Sequence, residues 1–89
     1  MDELQQAREQ IDRIDTEMAA LFAARMAAVK RIAAYKQAHG LAVFDPAREQ
    51  AVVEKNAAAY PDAETRELYA SFLQRCIELS KEYQEHNRG

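Results

Sequence analysis

Between Asp2 and Ala38 the chain carries neither proline nor glycine, and this narrows the possible folds more than any other feature. A run of that length, rich in alanine and straight-chain residues, reads as one continuous helix. At 1.5 Å per residue it is ~54 Å long. It closes at "AHG", where Gly40 stands as the expected C-terminal glycine. A second helix opens at "FDPAREQ", with Asp45 as its cap and Pro46 at the first helical position, and runs to about Ala59. "YPDAE" then breaks the chain. Asp62 caps a third helix through "TRELYASFLQRCIELSKEYQEH", and the terminal "NRG" is expected to fray. The expectation is an all-α fold of three helices, one long, one short and one medium, in a single domain over residues 1–89.

Composition excludes several classes of function. The chain has 89 residues, near the size at which a monomer only marginally buries enough surface, and a net charge of -3 without a basic block. That charge argues against nucleic acid as a partner. No N-terminal stretch has the pattern of a signal peptide and no apolar run approaches the ~20 residues of a membrane span, so a cytoplasmic protein that does not enter membranes is expected. Cys76 is the single cysteine, which rules out an internal disulfide, and His39 and His86 lie by a helix end and in the tail. No Cys/His or Ser/His constellation is evident, and no metal or cofactor is expected.

Along the long helix one stripe reads Leu4, Arg8, Ile11, Asp15, Met18, Phe22, Arg25, Val29, Ile32, Lys36, in the alternating steps of four and three of a packed seam. Helices of ~21 and ~36 Å cannot cover a seam of ~54 Å. A second copy in antiparallel two-fold pairing would, so an intertwined homodimer is expected. The seam's cations need anions: Arg8, Arg25 and Lys36 read either as interface ion pairs and snorkelling side chains or as ligands of a bound anion. On the third helix the stripe Leu73, Ile77 continues into Ser80 and Gln84, which marks either an emerging helix end or the wall of a polar pocket. Arg48 and Glu49 occupy the first turn of the second helix, where free amides suit anions and hydroxyls. Glu49 suits the helix dipole in any case, whereas Arg48 does not.

With "REQIDRID", "ARMAAVKRIAAYK", "FDPAREQ" and "ELSKEYQ" in this order and spacing, the chain resembles the all-helical, AroQ-type chorismate mutases over nearly its whole length. It differs from some members in having Met26 after Arg25 and a short connection between the second and third helices. The resemblance implies conversion of chorismate to prephenate, on the route to phenylalanine and tyrosine, without cofactor. It further implies that Arg8 reaches into the partner chain's pocket, that Arg25 and Arg48 bind substrate carboxylates with help from Ser80, and that Lys36 and Gln84 flank the ether oxygen. Asp45 and Glu49 would hold the ring hydroxyl, Asp45 through its backbone amide. Independently of the resemblance, Arg25 and Lys36 lie ~16 Å apart along the helix, so their side chains leave room for a small dianion. Arg8 is ~42 Å from Lys36 and cannot join them within one chain. Two other readings fit the same scaffold: an isochorismate pyruvate lyase, and a noncatalytic helical dimer or regulatory module.

Overall fold

Each helix begins on an aspartate whose carboxylate takes an amide the first turn leaves free. Asp2 accepts from the Gln5 N–H at 2.8 Å, Asp45 from Arg48 at 3.2 Å and Asp62 from Thr65 at 2.8 Å. These caps start α1 (Glu3–Ala38), α2 (Pro46–Ala57) and α3 (Ala63–His86) in a computed structural model that describes residues 2–87. Among the described residues there is no strand. The hydrogen bonds from Thr65, side chain first and then backbone, hold the Asp62 carboxyl below its ordinary value.

The stops are equally local. Gly40 adopts φ +64°, the left-handed conformation. Its N–H reaches the Gln37 carbonyl, while the Leu41 N–H reaches that of Lys36 at 2.8 Å. That pair of bonds is a Schellman ending, with His39 as the C-cap. The second helix stops at Ala57, two residues short of the expected Ala59. Ala59 and Tyr60 donate back three residues, to Asn56 and Ala57, which tightens the chain into a turn before Pro61. Arg66 fastens this turn to α3 by donating to the Tyr60 and Pro61 carbonyls at 2.9 and 2.8 Å. Asn87 caps α3, and the rest of the "NRG" tail lies outside the described residues.

The third helix packs against both α1 and α2, which do not pack on each other. Buried side chains come from every part: Val29 of α1, Val43 of the connection, Ala57 of α2, and Leu73, Ser80 and Gln84 of α3. Within the chain α3 covers only the C-terminal third of α1, where Arg25, Met26, Ala33 and Lys36 are half-buried around Val29. The expected stripe is therefore slightly rotated. Ala33 turns toward α3 in place of Ile32, which remains 48% exposed.

From Asp2 to Ala24 every residue is exposed, including Leu4, Ile11, Ile14, Met18, Leu21 and Phe22. The molecule measures 55 × 26 × 16 Å, with a radius of gyration of 16.4 Å, against about 12 Å for a compact domain of this length. Its accessible surface is 6993 Å². A compact monomer of the same mass exposes about 5300 Å². Among the described residues no helix is long and apolar enough to cross a membrane.

Candidate active site

Polar side chains gather where α3 lies between the end of α1 and the start of α2. The Arg25 guanidinium crosses from α1 to α3, donating to the Ser80 hydroxyl and, at 3.4 Å, to the Cys76 carbonyl. Ser80 in turn donates to the Cys76 carbonyl at 2.9 Å. This back-bond to the preceding turn orients the hydroxyl so that its lone pairs face the arginine. A serine on a buried stripe thus becomes the acceptor that pins a cation.

Three turns along α1, Lys36 bends over the connection and its Nζ donates to the Val43 carbonyl at 3.1 Å. The Schellman turn at Gly40 makes this possible by folding residues 41–44 back beside the helix. Lys36, Gly40, Val43 and Gln84 line one open cleft between α1, the connection and α3. Gln84 is 8% exposed, and its Oε1 is buried without a hydrogen-bond partner among the described residues. An unmet buried polar atom costs about 1 to 3 kcal/mol. In this cleft it faces the same space as an ammonium group.

The third part of the site is the N-terminus of α2. Glu49 reaches back to the Asp45 N–H with Oε2 at 3.3 Å, and its Oε1 accepts from Lys81 of α3 at 2.9 Å. The amide that the resemblance assigns to a ring hydroxyl is thus turned toward the carboxylate assigned to the same hydroxyl. Arg48 is exposed, and its guanidinium makes no ion pair among the described residues.

The chain therefore brings together Arg25 with Ser80, Lys36 with Gln84, and Asp45 with Glu49. It does not bring Arg8 to them, since Arg8 stands on the uncovered N-terminal part of α1. Lys81 is the polar neighbour that sequence reasoning passed over. The available signal was its position four residues after Ile77 and three before Gln84, on the flank of the stripe that faces α2. No group of three or more metal-binding side chains occurs among the described residues.

The family model described as chorismate mutase type II matches residues 7–85. The chain belongs to the chorismate mutase type II family. No curated protein and no solved structure matches it. The match spans Arg8 through Gln84, so the stretch shared with the chorismate mutases includes every side chain of this site. Chorismate mutases are isomerases. Their reaction rearranges a single substrate.

Proposed function

We propose that this protein is a chorismate mutase that converts chorismate to prephenate in the cytoplasmic biosynthesis of phenylalanine and tyrosine, acting as a homodimer with two shared pockets. The observation that carries the reading is the cleft in which Lys36 lies beside Gln84, a buried amide with an unmet polar atom. In the rearrangement a carbon–oxygen bond breaks as a carbon–carbon bond forms, and negative charge gathers on the ether oxygen. An ammonium and an amide donor aimed at that atom stabilise the transition state more than the ground state. A half-turn of the Gln84 amide presents Nε2–H in place of Oε1. Arg25, already oriented by Ser80, and Arg48 bind the two carboxylates and hold the enolpyruvyl side chain over the ring. Glu49 and the Asp45 amide accept and donate to the ring hydroxyl, which inserts between them.

The uncovered half of α1 supports the dimer. The chain exposes about 1700 Å² more than a compact monomer of its mass, a surplus of the size that obligate partners bury. In an antiparallel pairing that brings the partner's Arg8 to the level between Arg25 and Lys36, the two-fold axis crosses α1 near residue 19, about midway between those levels. At that level the seam carries Met18 and Phe22, both left exposed by the rest of their own chain.

The direct test offers the purified protein chorismate and, separately, isochorismate, with substrate loss, prephenate and pyruvate measured together. Prephenate at the rate of chorismate loss is the expected result. Pyruvate released from isochorismate, with chorismate untouched, would make the protein a lyase, and inertness toward both would leave a noncatalytic helical dimer.

Gln84→Glu tests the contact with the breaking bond. An ionised carboxylate sets negative charge against the oxygen that gains it, and only the protonated acid donates. Activity is therefore expected to be poor near pH 7 and to recover as pH falls toward the glutamate range, with burial raising that glutamate from ~4.3 and Lys36 lowering it. The wild-type protein should lack this acid preference. The measurement is kcat/KM against pH for both proteins, with folding checked throughout; parallel profiles would remove Gln84 from the proposed role.

A further inference from the structure

Glu49 lines, with Lys81, a cleft between α2 and α3 that is distinct from the cleft of Lys36 and Gln84, and a carboxylate turned from there toward a dianion would repel the ligand it is meant to bind. Here Glu49 is not left alone. Lys81 approaches its Oε1 at 2.9 Å, while the Asp45 N–H holds Oε2 at 3.3 Å, so two different elements fix the two ends of one carboxylate. The Lys81 ammonium is itself fixed on another side by the Phe44 ring, whose centroid lies 4.6 Å away. Phe44 belongs to the connection that also supplies the Val43 carbonyl to Lys36. The side chains of Lys81 and Glu49 are 29% and 22% exposed. Their attraction is less screened than that of the fully surface-lying Arg75 cluster with Glu78 and Glu82.

Resting on the mutase reading above, we propose that Lys81 is a positioning residue for recognition of the ring hydroxyl. It holds the Glu49 carboxylate at the head of α2 in the orientation that accepts the hydroxyl, and offsets the charge that would otherwise oppose the dianionic substrate. When the hydroxyl inserts between Oε2 and the Asp45 N–H, the Lys81 contact to Oε1 remains to hold the carboxylate. Without Lys81 the carboxylate keeps its amide bond but loses the contact that ties it to α3. Substrate binding then weakens, while the donors at the ether oxygen, Lys36 and Gln84, are unaffected.

The test compares wild type, Lys81→Met, Lys81→Arg, Glu49→Gln and the Lys81→Met/Glu49→Gln double variant. Calorimetry measures binding of two probes that require no turnover: an oxabicyclic dicarboxylate carrying the ring hydroxyl, and its deoxy counterpart. Wild type should prefer the hydroxylated probe, and Lys81→Met should lower that preference about tenfold, a shift expected from a charge-assisted contact in a partly desolvated site. Lys81→Arg should retain most of it, since the charge is kept. In the Glu49→Gln background Lys81→Met should change the preference less than about twofold, as residues acting through one another do. With chorismate, Lys81→Met should raise KM about tenfold and leave kcat within about threefold. An unchanged preference in Lys81→Met, or the same loss with Glu49 already replaced, overturns the proposal while leaving the mutase reading in place. A wild-type protein that binds neither probe and does not consume chorismate overturns both.

Discussion

Lys36→Met is expected to lower kcat about 10²- to 10³-fold, or ~3 to 4 kcal/mol, the loss that follows removal of one preorganised donor from a transition-state oxyanion. Methionine keeps the unbranched apolar stem of the lysine and lacks only its terminal atom, so most of the packing of the half-buried side chain is conserved. What disappears is the ammonium, together with its bond to the Val43 carbonyl. That bond already holds Nζ over the cleft it shares with Gln84, so little reorganisation is needed when substrate arrives. The fall should appear mainly in kcat, because charge on the ether oxygen develops only in the transition state. Steady-state kinetics and circular dichroism on the same sample check this; activity within threefold of wild type would exclude Lys36 from the electrostatic role.

The second large effect is a recovery. Arg8→Ala and Arg25→Ala are each expected to be nearly inactive, Arg25→Ala because it removes both a carboxylate ligand and the partner of Ser80. Refolding the two together should restore activity to about a quarter of wild type, since random pairing makes half the dimers mixed and each mixed dimer has one intact pocket. Both lesions then fall in the other pocket. The pairing follows from geometry: Arg8 is exposed on a stretch of α1 that nothing in its own chain covers, ~42 Å along the helix from Lys36. Sedimentation should show no folded monomer at micromolar concentration. Verified mixed dimers without activity, or a folded and fully active monomer, would rule out sharing.

Helix number, starts and stops were legible in the sequence because their causes act within one turn. Asp45 and Asp62 cap amides three residues away, Pro46 lacks an N–H where none is needed, and Gly40 takes a conformation that side chains oppose. None of this depends on what the helices pack against. The end of α2 was less legible, since the turn at Ala58–Tyr60 is a compromise between continuing the helix and entering Pro61. The polar stripe on α3 was visible as well, because Ser80 and Gln84 occupy positions at which helical spacing would otherwise supply apolar residues.

Relations between elements were not legible, because a periodic pattern gives the direction of a side chain on its own helix and says nothing of what stands opposite. That α3 lies between α1 and α2 decides that Ser80 meets Arg25 and Lys81 meets Glu49. It also decides the small rotation that buries Ala33 and leaves Ile32 outside. Lys81 drew no notice in the sequence because its partner is 32 residues away in the chain. The unmet Gln84 oxygen depends on a cleft whose walls come from three segments. Local pattern alone yields three helices, two with readable aspartate caps, the longest of them with too little in-chain cover. Which polar groups face one another follows from packing, because those contacts depend on distances between helices that local spacing does not contain.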